Sequence, residues 1–361
     1  ALLELVVGPR GRKDAALRYE CLRALGRIGG GAGRRVLLRE ASGRDRVGRL
    51  AAAEVLLEAG AAQRVVAAVR ELLRDPDRLV HEQAARSAGR NKVESLVPEL
   101  VRLLEEGRLR AKERAVEALR AVSGRDFGYA PQAWAMWWKA KQAGRGGEPG
   151  DAGSRTFSVP TYYDFEVFSD RLLFVVDVSE SMNVGDGAAR RIDVARDQLR
   201  ATVEALGEPT RFNVITFAGS PSSWRKGELV PATAQNKRKA TEWIGRRLKP
   251  RGGTNTHDTL LLALQQHPGL DTLYLLSDGL PTAGRSVVPE EILARVRHAN
   301  RLRQVRIHTI GLVLGGTEDP AAPGLGEREQ MTRFMSRLAE QNDGRFVEIR
   351  QAPPPRAAPG R

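Results

Sequence analysis

Two hydrophobic patterns divide the chain. Up to about residue 125 the apolar positions recur at helical spacing. Val97, Leu100, Val101 and Leu104 stand at i, i+3, i+4 and i+7, and Val65 or Val66, Val69, Leu72 and Leu73 repeat the stripe. Gly29-Gly30-Gly31, Gly60 and Asp75-Pro76-Asp77 punctuate the helices. The pattern is also self-similar. Ala24-Leu25-Gly26-Arg27-Ile28-Gly29 aligns with the segments starting at Val55, Arg86 and Glu117, a period of about 31 residues and typical of stacked-helix units. A two-helix unit cannot bury its apolar face alone, so its neighbours must stack on it. From residue 172 the period changes. Leu172-Leu173-Phe174-Val175-Val176, Val214-Ile215-Thr216-Phe217, Leu273-Tyr274-Leu275-Leu276 and, more weakly, Ile307-His308-Thr309-Ile310 are short continuous apolar runs. Such runs fit strands covered on both faces, as in a parallel sheet. Between them lie helical stripes, the first formed by Ile192, Ala195, Leu199, Val203 and Leu206, with others over 257–266, 288–303 and 326–341. Alternating strands and helices predict a doubly wound α/β domain that binds ligands at the strand C-termini.

The 361-residue chain therefore reads as two domains joined by a polar, glycine-rich segment. The reading places a helical-repeat domain at residues 1–141, a linker at 142–165, an α/β domain at 166–350 and a disordered Pro/Ala/Arg-rich tail at 351–361. Trp134, Trp137 and Trp138 follow the last repeat. Rings of that size suit a cap on the open end of a repeat stack, although clustered Trp also suits a nucleic-acid stacking platform. The helical units resemble HEAT repeats over about residues 10–125, which implies an α-solenoid with a concave binding surface.

Composition narrows the classes. Hydrophobic residues make up 41% of the chain and charged residues 28%, which is globular. No apolar run is long enough to span a membrane. The single cysteine, Cys21, excludes an internal disulfide and a cysteine-based zinc site. The net charge is +14, and the excess is concentrated in the first half: residues 1–150 hold 29 Lys and Arg against 19 Asp and Glu, the remainder 29 against 25. This favours acidic partners. The compartment stays open, although Trp/Ala/Arg-rich repeats of this kind point to a high-GC bacterium and an exported protein.

The candidate chemistry follows the first strand. Asp177-Val178-Ser179-Glu180-Ser181 sets a carboxylate and two hydroxyls at alternate positions. These are hard oxygen donors of the kind Mg²⁺ or Ca²⁺ selects. Gly252-Gly253-Thr254-Asn255-Thr256 presents a threonine before a helix, and Ser277-Asp278-Gly279 ends a later strand with a second carboxylate. All three segments fall at C-terminal strand edges or in loops that reach them.

In these segments residues 171–350 resemble a von Willebrand factor type A domain, a Rossmann-like α/β fold with a mainly parallel six-stranded sheet. Asp177, Ser179, Ser181, Thr254 and Asp278 match the five positions of that family's metal-ion-dependent adhesion site. The resemblance implies that Ser179 and Ser181 ligate a divalent ion (Mg²⁺, or Ca²⁺ or Mn²⁺) and that Thr254 does so directly or through water. Asp177 and Asp278 then act through ordered waters. It further implies that a partner's acidic side chain completes the shell. His257 and Asp186 lie near by in sequence; the expected roles are a first-turn helix residue and a solvated loop acid.

No phosphate-binding Gly-x₄-Gly-Lys-[Ser/Thr] loop, zinc-binding His-Glu-x-x-His helix or Gly-x-Ser-x-Gly elbow is present. The expectation is a non-enzymatic adaptor that docks one protein at the metal site and another on the helical surface. A separate AAA-type ATPase is one partner the resemblance suggests. The alternative is RNA binding, in the manner of Ro-type proteins that join HEAT-like helices to the same domain.

Overall fold

A computed structural model describes residues 4, 6, 8, 13–144, 157, 159–185, 190–313 and 325–350. The chain divides into two units, Ala1–Ser158 and Val159–Arg361.

Helix starts in the first unit are set by acidic caps. Asp14, Asp45 and Asp77 accept backbone N–H bonds at the N-termini of α1 (Ala15–Ile28), α3 (Arg46–Val55) and α5 (Arg78–Arg90). Between and after these run α2 (Gly31–Ala41), α4 (Gln63–Leu72), α6 (Val97–Glu106), α7 (Leu109–Ser123) and α8 (Pro131–Gln142). That makes eight α-helices among the described residues of this unit. Helices α1, α3, α5 and α7 pack each on the next, while α2, α4 and α6 pack against α3, α5 and α7. Close approach in the first row requires small residues. A Cβ on Gly26 would stand 2.3 Å from the Val55 side chain, and one on Gly89 would stand 2.8 Å from the Ala118 backbone.

Several basic residues of this unit pair with carboxylates of neighbouring turns. Arg46 pairs with Asp77 at 2.7 Å, Arg49 with Asp75 at 2.7 Å and Arg70 with Glu99 at 2.7 Å. Glu82, buried on α5, takes Arg110 at 3.0 Å, and the surrounding arginines hold its carboxyl below the ordinary range despite its burial. Trp134 and Trp137 are buried, and Trp134 Nε1 donates to the Gly128 carbonyl at 2.9 Å. They meet Phe127 edge-on or tilted, with centroids at 4.8 and 6.5 Å.

The second unit is built on β3 (Arg171–Asp177), whose apolar run is sorted by the pleat. Leu172, Phe174 and Val176 enter one core with α9 (Arg191–Ala205) and α10 (Ala234–Arg247). Leu173 and Val175 enter the other with α11 (Thr256–Gln266), α12 (Pro289–Asn300) and α13 (Leu325–Gln341). Both faces are therefore covered, which explains the unbroken hydrophobicity. β3 pairs in parallel with β4 (Arg211–Phe217) on one side and β7 (Thr272–Ser277) on the other. β8 (Arg306–Leu312) and β9 (Phe346–Ile349) extend the β7 side in parallel.

Among the described residues the sheet has seven strands rather than the six expected. β5 (Pro221–Ser223) and β6 (Val230–Pro231) both pair antiparallel with β4. They are two or three residues long, too short to leave a periodic signal. A separate hairpin, β1 (Thr161–Tyr162) with β2 (Phe165–Glu166), spans the end of the segment read as linker and the first residue of the α/β domain. It drives Tyr162 and Phe165 into the first core. Helix α10 was also missed, because only Ala240 and Ile244 of its fourteen residues are buried. The acid Asp186, residues 145–156 and the tail 351–361 lie outside the described residues. No helix among the described residues is long and apolar enough to cross a membrane.

Candidate metal site at the sheet edge

The chain leaves β3 towards β4 on one side and reaches β7 on the other, so the C-terminal end of β3 is the switch point of the sheet. Asp177 is the last residue of β3, and the Val176–Leu276 register brings Ser277 of β7 beside it. Ser277 Oγ donates to Asp177 Oδ2 at 2.5 Å, while the Ser179 N–H donates to Oδ1 at 2.8 Å. The turn then runs into a short 3₁₀ segment, Glu180–Asn183. Ser179 and Ser181 are left side by side, with their hydroxyls 3.1 Å apart. Ser181 Oγ donates to Asp278 Oδ1 at 2.8 Å across 97 residues of sequence.

The glycine loop is stitched to the same turn by its backbone. Glu180 N–H donates to the Gly252 carbonyl at 3.0 Å, and Arg251 N–H to the Val178 carbonyl at 2.8 Å. Gly252 has φ +60°, a conformation costly for any residue with a Cβ. A Cβ on Gly253 would crowd Thr282 Oγ1 at 2.9 Å. That closeness is used: Thr254 N–H donates to Thr282 Oγ1 at 2.8 Å, and Thr282 N–H donates back to the Thr254 carbonyl at 3.0 Å. Thr254 is thus fixed on a loop clamped both to the Asp177 turn and to the loop after β7.

The electrostatics are those of a site short of positive charge. Asp177, Ser179, Thr254 and Asp278 are buried and Ser181 is half-buried. Burial, then the nearby Asp278 charge, raises the Asp177 carboxyl well above its ordinary range. Burial raises Asp278 too, but the Arg191 guanidinium pulls against it. Arg191 Nη1 donates to Asp278 Oδ2 at 2.9 Å, both side chains being fully buried. Among the described residues no such ion pair serves Asp177.

The donor set fits a hard divalent cation. It offers hydroxyl oxygens with free lone pairs and two carboxylates, without nitrogen or sulfur. The observation behind the fit is charge: two buried carboxylates face a single guanidinium. Among the described residues no group of three or more His, Cys, Asp or Glu converges, so this hydroxyl-rich edge differs in kind from a zinc or iron centre. His257 is buried, with Nδ1 2.9 Å from Asp258 Oδ1. Arg285 Nε also donates to Asp258, at 2.9 Å. His308 packs in the sheet, stacked on Tyr274 at 5.1 Å between centroids.

Sequence reading missed Arg191, Ser277 and Thr282. The local signal for Arg191 is a cation in the first turn of a helix, where the dipole disfavours it; its burial and its carboxylate partner are set by the tertiary fold. Ser277 and Thr282 carry no comparable signal, because only strand register and loop closure make them neighbours of the site.

Residues 170–345 match the von Willebrand factor type A domain. Human inter-alpha-trypsin inhibitor heavy chain H4 is 32% identical over 139 residues, 36% of this chain and 14% of that protein. Human von Willebrand factor A domain-containing protein 3A is 33% identical over 135 residues, 37% of this chain and 10% of that protein. The chain thus spans a small part of these relatives' length. Among solved structures, a von Willebrand factor type A protein from Catenulispora acidiphila aligns with a TM-score of 0.40 at 18% identity, covering 51% of this chain and 39% of that one. Residues 170–345 are a von Willebrand factor type A domain.

Proposed function

We propose that this protein is a non-enzymatic adaptor whose α/β domain captures a partner's acidic side chain through a divalent cation. Ser179, Ser181 and Thr254 would hold the ion, with Asp177 and Asp278 supplying charge from behind them. When bound, Mg²⁺, Mn²⁺ or Ca²⁺ offers an electrophilic position that a carboxylate fills. The chain's residues prepare that position. The Ser181 hydroxyl donates a hydrogen bond to Asp278, which leaves its oxygen lone pairs for a cation. The Thr254 loop is held rigid by Thr282. The observation that carries the reading is the meeting of two buried carboxylates and a pair of serine hydroxyls at the switch point of the sheet.

The helical unit serves in this reading as the second binding surface. Its helices pack in succession, and the period of about 31 residues supports a HEAT-like solenoid. Arg46, Arg49, Arg70 and Arg110 are engaged with carboxylates of the neighbouring turns, which takes these four from the positive charge open to a nucleic-acid backbone.

Isothermal titration of the full chain with Mg²⁺, Mn²⁺ and Ca²⁺ tests the metal, and affinity capture with and without EDTA tests its use. Asp177→Ala is expected to abolish cation binding and to lose the same partners that EDTA removes. Identical partners in all samples, or no heat from any of the three cations at millimolar concentration, would sink the reading.

A further inference from the structure

The two carboxylates of the site are not equivalent. Among the described residues Asp177 is served by neutral donors, including the Ser179 N–H and the Ser277 hydroxyl. Asp278 is gripped on both oxygens: Oδ1 takes the Ser181 hydroxyl at 2.8 Å, and Oδ2 takes Arg191 Nη1 at 2.9 Å. The same Arg191 nitrogen lies 3.4 Å from the Ser181 carbonyl oxygen, so one guanidinium spans a carboxylate and the backbone of a hydroxyl donor. The neighbouring Arg190 reaches Asn183 at 3.1 Å and Asp193 at 2.7 Å, tying the start of α9 to the 3₁₀ segment.

A fully buried ion pair is costly to assemble and is poor evidence for stability alone, so its place beside the hydroxyl pair asks for another reason. Each Asp278 oxygen already gives one lone pair to Ser181 or to Arg191, so a cation bound there would have to share that oxygen with a hydrogen bond and lie close to the guanidinium charge. Arg191 also puts a fixed positive charge where the cation must arrive, which lowers the site's affinity for it.

We propose that Arg191 is a positioning residue that keeps Asp278 from ligating the cation directly and holds the site's metal affinity down, so that the ion stays electrophilic towards an incoming carboxylate. This rests on the metal reading above. In this arrangement the protein supplies one uncompensated carboxylate, Asp177, and the partner supplies another.

The test is Mn²⁺ titration and thermal unfolding of the full chain as wild type, Arg191→Gln, Arg191→Met and Arg191→Lys. Without metal, the Gln and Met variants are expected to melt lower than wild type, because Asp278 is left buried and unpaired. Millimolar Mn²⁺ is expected to restore most of the loss, and their Mn²⁺ Kd is expected to tighten by about tenfold. Arg191→Lys keeps the charge and is expected to bind Mn²⁺ as wild type does. A merely structural arginine would lower the melting temperature with no larger metal increment. Equal Kd and equal Mn²⁺ increments in all four proteins would overturn the proposal. So would neutral variants that Mn²⁺ cannot rescue while Arg191→Lys folds. Wild type that binds no Mn²⁺ would instead remove the metal reading itself, and this inference with it.

Discussion

At the scale of single residues, partner geometry decides protonation. His267 is buried in the second unit, with Nδ1 3.0 Å from the Ala263 carbonyl and Nε2 3.0 Å from Asn213 Nδ2. A carbonyl only accepts, so Nδ1 carries the hydrogen. Asn213 Oδ1 already accepts two backbone N–H bonds, so its amide nitrogen faces the ring and Nε2 accepts. Protonating Nε2 would set donor against donor. Burial, and then the Arg303 charge, therefore hold the imidazole below its ordinary range. The sign follows: the unfolded chain binds this proton more readily, so the stability from neutral His267 is complete above about pH 6.5 and is lost as pH falls below it. Urea midpoints at about pH 5 and pH 8 are expected to differ less in His267→Gln than in wild type. An unchanged difference would show that His267 does not contribute.

At the scale of elements, caps and close approaches fix how helices begin and cross. Asp77 caps α5 through the Leu79 N–H at 2.9 Å and pairs with Arg46 from the start of α3. Asp45 plays both parts two helices earlier, capping α3 and pairing with Arg18 of α1. Helix α7 starts after Arg108 without a side-chain cap, so the ladder stops there. Asp77→Ala removes a cap and an inter-helix pair together and is expected to cost about 1–2 kcal/mol in urea unfolding. Asp77→Asn keeps a capping oxygen and is expected to recover roughly half of that. Equal losses for the two would assign the whole effect to the ion pair. Part of this was legible: the Asp75-Pro76-Asp77 break marks a helix boundary in any reading. The pairing with Arg46 was not, because 31 residues separate the partners.

At the scale of the molecule, two units carry separate cores, one helical and one formed on the two faces of a sheet. In the proposed reading, cation binding belongs to the second. Calorimetry of the full chain is expected to resolve two transitions, with Mn²⁺ raising one and leaving the other in place. A cation at a hundredfold its Kd adds about 2.7 kcal/mol to the unit that binds it. A single transition, or one in which both shift equally, would mean that the units unfold as one.

Read alone, the sequence supplies the two periods, the chain order of the long buried strands and five oxygen-bearing candidates, because strand burial and motif spacing are local properties. It did not determine the short strands β5 and β6, the hairpin at Thr161–Glu166 or helix α10, whose apolar signal is two or three residues deep. Only the tertiary structure decided which charges oppose the site. Arg191 meets Asp278 from 87 residues away and Ser277 meets Asp177 from 100. Contacts of that range arise from strand register and from how a helix is set against the sheet. Neither is written in the spacing of a motif.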